Sequence, residues 1–183
     1  MLLGCTRSAV ESTERHLVEF KARYEDLGKA RALLAGADLI GTFRQRDTYF
    51  LLGDRRLKVR TVEGRNEGQL IFYERPDRAA VKESEVLLAE LPEADSVLRI
   101  LRRAFSVAVE VRKTREIYRL QRVQVHLDTV EGLGRFIEFE IVAASGAERE
   151  EARKRLEDLR SYFQIPEEDV MASSYSDLLA THE

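Results

Sequence analysis

The sequence predicts an α+β fold built on a closed eight-stranded antiparallel β-barrel, with helices packed outside it. Short runs of alternating polar and apolar residues, separated by Gly or Asp turns, recur along most of the chain. Helical periodicity is confined to three or four segments. About eight antiparallel strands is the number that closes into a small barrel. If the apolar faces pack outward against the helices, the opposite faces line a charged interior.

The first predicted unit is a strand followed by a helix, and we expect the fold to start near Arg15. Alternation from Val18 to Arg23 places apolar side chains on one face of the strand and charged side chains on the other. Asp26 is positioned to cap a helix over residues 27–35, and Gly36 is positioned to end it.

The remaining elements follow from β-forming runs between turns and from helical spacing of apolar residues. Strands are predicted over residues 39–43, 46–50, 56–62, 69–73, 82–89, 107–118, 123–128 and 136–142. Helices are predicted over residues 92–105, 147–163 and 176–179. The last two strands are expected to form a hairpin across residues 131–134.

Composition limits the class of protein. The 183 residues suit one domain over 15–180, preceded by a flexible N-terminus over 1–14. With 30 basic and 33 acidic residues the net charge is −3, which argues against a general nucleic-acid binder. The single Cys5 fits a reducing compartment, so a cytoplasmic location is expected. No apolar run approaches the roughly 20 residues of a membrane helix.

The polar faces of the predicted strands carry more bases than acids. Arg56, Lys58 and Arg60 alternate on one strand and repel one another, so they need an anion, either carboxylates or a bound polyphosphate. Glu138 and Glu140 share one strand face, which points to a hard divalent cation because Mg²⁺ and Mn²⁺ prefer oxygen ligands. For any single strand, an ordinary solvated face is the better explanation. The repetition over several strands favours a site for a metal–triphosphate complex.

Six short motifs, taken in order, resemble those of the CYTH family, named after class IV adenylyl cyclase and thiamine triphosphatase. They are Glu19-Phe20-Lys21, residues 45–50, Leu57 to Arg60, Lys113 with Arg115, the hairpin from His126 to Glu140, and Ser174 to Leu179. No single motif is specific, but their order and spacing cover about residues 15–180. Members are also called triphosphate tunnel metalloenzymes.

The resemblance implies a barrel whose tunnel binds a triphosphate together with Mg²⁺ or Mn²⁺. The implied metal ligands are Glu19, Asp128, Glu138 and Glu140. The implied triphosphate-binding residues are Lys21, Arg23, Arg56, Lys58, Arg60, Lys113 and Arg115, and the implied catalytic residues are Lys21, Asp128 and Glu138. His126 is expected to be a structural hydrogen-bonding residue, and Tyr175 to pack the C-terminal helix. The implied partner is a small molecule, namely inorganic triphosphate, thiamine triphosphate or ATP. Neither nucleic acid nor a membrane is expected as a partner. The sequence leaves open whether the protein forms a homodimer.

Three residues depart from the family pattern. Leu17 stands at the first position of the Glu-x-Glu-x-Lys signature, while Glu74 and Glu83 stand where basic residues are common. Together the three residues are expected to lower the positive charge of the tunnel and to remove a metal ligand. Leu17 has the parity of Glu19 and is therefore expected to face the tunnel. The alternative is a strand shifted by one residue, which would place Leu17 in the outer core.

Two classes of function remain open from the sequence, with an inert scaffold as a third. The first is a metal-dependent enzyme that either hydrolyses a triphosphate or cyclises ATP to cyclic AMP. The second is a non-catalytic binding or sensor protein for phosphorylated ligands on the same tunnel fold, which the three departures favour.

Overall fold

A computed structural model, which describes residues 12–53, 55–74 and 81–180, confirms the closed barrel of eight antiparallel strands. The strands are β1 (Ser12–Arg23), β2 (Asp38–Leu52), β3 (Arg55–Val62), β4 (Gly68–Glu74), β5 (Val81–Leu91), β6 (Val107–Leu120), β7 (Val123–Val130) and β8 (Gly134–Val142). The helices are α1 (Leu27–Leu33), α2 (Ala94–Ala104), α3 (Gly146–Tyr162) and α4 (Tyr175–Ala180), with a 3₁₀ turn at Glu167–Asp169. Within these ranges no helix is long and apolar enough to cross a membrane.

The strands follow the order β1-β5-β4-β3-β2-β6-β7-β8 around the barrel. Two meanders, β2 to β5 and β6 to β8, meet where β2 pairs with β6. The barrel closes because β1 lies between β5 and β8 and pairs with both. Closure leaves one face of every strand directed at a shared interior.

Two predicted boundaries differ from the structure. The strands expected over 39–43 and 46–50 are one strand, β2, because β6 pairs with it on both sides of the expected break. β1 begins at Ser12, before the expected start at Arg15, because its first residues pair with β5. The rest of the N-terminus that we predict to be flexible lies outside the described residues.

The main core lies between the outer face of the barrel and two helices. Val18, Phe20 and Ala22 are fully buried there, as the alternation of β1 predicts. Phe20 stacks on Phe139 with 5.6 Å between the ring centroids, and Phe139 contacts Phe163 at 5.3 Å. The residues of α3 that complete this core recur at helical spacing, which is why the sequence identifies its inner face.

The segment after α3 returns to the end of the barrel at which β1 finishes. Val170 bridges to Ala22, and the Met171 amide donates to the Lys21 carbonyl at 2.8 Å. Tyr175 then packs on Phe136 with 4.9 Å between the centroids. This segment covers that end of the interior.

We expect Phe139→Ala to lower the free energy of unfolding by about 3–5 kcal/mol, because it removes the central ring of the core and leaves a cavity. Urea denaturation followed by circular dichroism measures this change. The control is Ile100→Ala on α2, whose side chain is 66% exposed and should change stability by less than about 0.5 kcal/mol. Equal effects of the two substitutions would contradict the assignment of the core.

Candidate functional site

The barrel encloses a cavity of about 660 Å³. All eight strands contribute inward-facing side chains to it, and Ser174 and Tyr175 contribute from the C-terminal segment. Leu17, Glu19 and Lys21 all line it, so the register expected for β1 is confirmed and Leu17 is not part of the outer core. The cavity is the tunnel that the sequence predicts.

The buried carboxylate of Asp47 forms ion pairs with cations of β3 and β6. Asp47 of β2 is fully buried, and its oxygens lie 3.0 Å from Lys58 Nζ and 3.1 Å from Lys113 Nζ. Arg60 donates to both oxygens, at 2.7 and 2.9 Å. Burial alone would raise the pKa of the Asp47 carboxyl, but Arg60, Lys113 and Lys58 hold it well below its usual range. Asp47 is therefore a fixed negative charge behind three cations.

Lys113 is a cation of this cluster whose charge changes near neutral pH. Burial lowers the pKa of its ammonium group to about 7, and Arg115 and Arg60 act in the same direction against Asp47. Arg60, by contrast, has a raised pKa, because Asp47 outweighs the cost of burial. At neutral pH Lys113 is therefore close to its titration midpoint.

A second buried carboxylate orients Arg115. Asp128 accepts two hydrogen bonds from Arg115, from Nε at 2.7 Å and from Nη2 at 2.6 Å, and one from the Tyr175 hydroxyl at 2.9 Å. The same Nη2 atom also donates to Glu138 Oε2 at 3.4 Å. Such a bidentate pair fixes the plane of the guanidinium.

Three side chains on β7 and β8 form a group that fits a metal ion. His126, Glu138 and Glu140 each bring one ligand atom within 4.8 Å of the others. His126 Nδ1 is buried without a hydrogen-bond partner, and it lies 3.6 Å from Glu138 and 3.9 Å from Glu140. Burial and Arg115 lower the pKa of His126 to about 4, so the ring is neutral at pH 7 and its lone pair is available.

The carboxylates of Glu138 and Glu140 repel one another when both are ionised. Burial alone would raise the pKa of Glu138, but Lys21, whose Nζ lies 3.0 Å away, and Arg115 hold it well below its usual range. Burial and the neighbouring Glu138 raise the pKa of Glu140 well above its usual range. A divalent cation would relieve this repulsion and would partner the orphaned nitrogen. The donor set therefore fits a metal ion.

The structure brings most of the predicted site residues together. Those that line the cavity are Glu19, Lys21, Lys58, Arg60, Lys113, Arg115, Glu138 and Glu140. Glu19 lies directly opposite Glu140 on the neighbouring strand.

Three predicted residues do not line the cavity. Arg23 donates to the Leu133 carbonyl at 3.1 Å, and Arg56 pairs with Asp177 of α4 at 2.9 Å. Asp128 is fully buried with both oxygens engaged by Arg115 and Tyr175. Arg56 and Asp128 thus join the barrel end to the C-terminal segment, and Arg23 binds the turn between β7 and β8, which the alternation of the strands could not reveal.

The sequence alone assigns no role to Asp47 and predicts structural roles for His126 and Tyr175. Asp47 and Tyr175 lie in motifs that carry the family resemblance, and that was the available signal. His126 has the parity of Asp128 on β7, so the same alternation places it inside the barrel.

The expected effect of Glu83 on tunnel charge is wrong. Its side chain lies outside the barrel and pairs with Arg149 and Arg153 of α3. The neighbouring Lys82 points inward instead and donates to the Ala172 carbonyl. The Glu74 side chain lies outside the described part of the chain.

The family model for the CYTH domain matches residues 15–175. A protein of Methanocaldococcus jannaschii named as a putative adenylate cyclase is 25% identical over 172 residues, which cover 88% of this chain and 97% of that protein. The solved PH1012 protein of Pyrococcus horikoshii OT3 is 27% identical with a TM-score of 0.79, over 88% of this chain and 98% of its own.

Two more distant solved structures share the fold. A putative adenylate cyclase from Vibrio parahaemolyticus has a TM-score of 0.78 at 19% identity, over 91% of this chain and 98% of its own. A putative adenylyl cyclase from Hippeastrum, described as having a dominant triphosphatase activity, has a TM-score of 0.65 at 17% identity. That match covers 91% of this chain and 96% of the other.

We expect Asp47→Asn to lower the free energy of unfolding by roughly 3–5 kcal/mol, because it leaves buried cations without their counter-charge. Inorganic triphosphate should raise the melting temperature of this variant more than that of the parent, since the anion replaces the missing charge. The control is Glu63→Gln, which removes an exposed pair with Arg44 and should cost less than about 1 kcal/mol. A variant as stable as the parent without ligand would refute this role.

Proposed function

The chain belongs to the CYTH family, and from that premise we propose that it is a divalent-metal-dependent enzyme acting on triphosphate compounds. One observation carries this proposal. A group of cations and a group suited to a metal ion line the same cavity, and Glu138 and Arg115 join them at 3.4 Å. A triphosphate with its metal ion needs both groups within the length of one ligand.

The cations of β3 and β6 would bind the phosphate oxygens. Arg60 and Arg115 present planar guanidinium groups that can contact two oxygens each, whereas Lys58 and Lys113 supply compact charges. Asp47 and Asp128 hold these side chains in place before the anion enters. The anion therefore meets an arranged set of donors, and little side-chain ordering remains to be paid for.

Glu138, Glu140 and His126 would hold the metal ion, with Glu19 opposite Glu140 as a further carboxylate. When bound, the metal ion would neutralise charge on the phosphate oxygens and lower the pKa of a water molecule. Mg²⁺ and Mn²⁺ suit the carboxylates of this group. In this proposal Asp128 orients Arg115 through two hydrogen bonds and does not bind the metal ion.

Lys21 would act beside the metal group. Its ammonium lies 3.0 Å from Glu138 and 4.3 Å from the centroid of the Tyr175 ring. This position holds Glu138 ionised and keeps a positive charge next to the entering phosphate. Tyr175 therefore positions two cations. Its ring faces the Lys21 ammonium, and its hydroxyl donates to Asp128, which orients Arg115.

The same cavity admits hydrolysis or cyclisation. Hydrolysis needs a water molecule in line with a phosphorus atom, whereas cyclisation needs the ribose 3′ oxygen at the α-phosphorus. A non-catalytic binder is the second candidate, and Leu17 favours it because an apolar side chain stands where the family signature has a carboxylate. The products of one assay separate these three outcomes.

We expect the purified protein, incubated with Mn²⁺ or Mg²⁺, to convert at least one of inorganic triphosphate, thiamine triphosphate and ATP. Phosphate release and cyclic AMP are measured in parallel. A double variant, Glu138→Gln with Glu140→Gln, should lose activity by roughly 10²-fold or more, because it removes the metal ligands. The control Glu83→Gln changes a carboxylate outside the barrel and should retain activity. Tight binding of a triphosphate without any product would overturn the enzyme in favour of the binder.

We expect the pH to change triphosphate affinity through Lys113. With its pKa lowered to about 7, the ammonium loses its charge as the pH rises from 6 to 8, so the affinity for triphosphate should fall by up to about tenfold. Lys113→Arg stays charged throughout and supplies the baseline for changes in the ligand. Calorimetric titration with inorganic triphosphate in EDTA compares the two proteins. Parallel pH profiles would exclude a titrating Lys113 from the anion site.

A further inference from the structure

The group of His126, Glu138 and Glu140 combines an imidazole nitrogen with carboxylate oxygens. The His126 side chain is 3% exposed, and its Nδ1 atom has no hydrogen-bond partner among the described residues. This atom lies 3.6 Å from Glu138 Oε1 and 3.9 Å from Glu140 Oε1. Because buried polar atoms in folded proteins are almost always partnered, the orphaned nitrogen needs an explanation. A ligand held between the three side chains supplies the missing partner.

The pairing of β7 with β8 fixes His126 in this group. His126 lies directly opposite Glu138, which in turn lies opposite Lys21 of β1. Gln124 is the preceding inward-facing residue of β7, and it lies opposite Glu140. The donors are therefore cross-strand neighbours on one face of the sheet, where side chains are close enough to interact.

A hydrogen bond on the other side of the His126 ring decides which nitrogen faces the carboxylates. The Nε2 atom lies 3.3 Å from Gln124 Oε1. Since an amide oxygen only accepts hydrogen bonds, Nε2 carries the ring proton and Nδ1 carries the lone pair. Histidines that bind metal ions show this arrangement, with one nitrogen on the metal and the other donating to a fixed acceptor.

From these contacts we propose that His126 binds the metal ion through Nδ1, and that this nitrogen makes the site select a first-row transition-metal ion over Mg²⁺. This inference rests on the proposed function and narrows the class of its metal ion. Mg²⁺ is a hard cation that favours oxygen ligands in near-ideal octahedral geometry. An imidazole nitrogen instead suits transition-metal ions, and their affinity for a site with nitrogen ligands rises from Mn²⁺ to Co²⁺.

Leu17 shifts the donor set in the same direction. It lines the cavity two residues before Glu19, which lies opposite Glu140. An apolar side chain therefore stands beside the metal group, where the family signature has a carboxylate. Among the described residues of this part of the cavity, the donors are the carboxylates of Glu19, Glu138 and Glu140 and the imidazole of His126. Compared with the signature, an oxygen donor is absent on β1 and β7 contributes a nitrogen.

The first test determines whether the imidazole nitrogen binds the ion. The full chain, freed of bound metal and then of EDTA, receives less than one equivalent of Mn²⁺, and pulsed electron paramagnetic resonance measures coupling to directly bound nitrogen. We expect a coupling typical of a histidine ligand. The chain has three histidines, so the double variant His16→Gln with His182→Gln leaves only His126 and should keep the coupling. His126→Gln should lose it.

The second test measures selectivity. Calorimetric titration without triphosphate gives the affinities for Co²⁺, Mn²⁺ and Mg²⁺, and we expect the parent to bind both transition-metal ions more tightly than Mg²⁺. His126→Asp replaces the nitrogen by oxygen, so it should lower the ratio of Co²⁺ to Mg²⁺ affinity by at least about tenfold. The control is His16→Gln on the outer face of β1, where the side chain contacts Glu85 and is 35% exposed. It should leave the ratio unchanged.

The outcomes separate this inference from the proposed function. Bound Mn²⁺ without a nitrogen coupling would overturn ligation by His126 while the carboxylate site stands. Mg²⁺ bound by the parent as tightly as Co²⁺, or an unchanged ratio in folded His126→Asp, would overturn the selectivity. Absence of binding for all three ions would overturn the metal site of the proposed function itself. The parent and the double variant retain His126, so they decide both questions even if the His126 variants do not fold.

Discussion

The pairing of buried cations with Asp47 and Asp128 is the constraint on which the rest of the structure depends. A barrel interior withdraws charges from water, and an unpaired buried charge is costly enough to prevent folding. Asp47 holds three cations and Asp128 holds Arg115 with two hydrogen bonds. These pairs let the protein fold with a cationic interior and no ligand, and they keep the donors arranged for an anion.

Closure of the barrel converts this pairing into a site with distinct sides. Because alternate residues of every strand point inward, strands that are distant in the sequence share one cavity. Cations occupy one side and the group of His126, Glu138 and Glu140 a second, and the aliphatic side chains of β4 and β5 begin beside the cations, where Ile71 pairs with Lys58. The C-terminal segment completes the arrangement, since Tyr175 contacts both Asp128 and Lys21. Each chemical function of the cavity therefore depends on a different pair or trio of strands.

Leu17 affects both the set of metal ligands and the apolar surface of the cavity. As a departure from a carboxylate signature it weakens the case for a metal ligand, but within the barrel it continues the aliphatic surface of β4 and β5. The metal group gains a nitrogen ligand candidate in His126 at the same time. The balance of ligands and apolar surface thus differs from the one that the motif alone describes.

The sequence by itself determined the barrel, the inward parity of Glu19 and Lys21, and the family, because alternation and motif spacing are properties of neighbouring residues. It also located the helix faces that form the core. Only the tertiary structure decided that Arg56 serves the C-terminal helix, that Asp128 supports Arg115, and that Asp47 gathers three cations. Alternation predicts which side of a strand a side chain occupies. The residues that the side chain contacts there come from strands that are distant in the sequence. Those pairings are decided by closure and packing of the whole barrel.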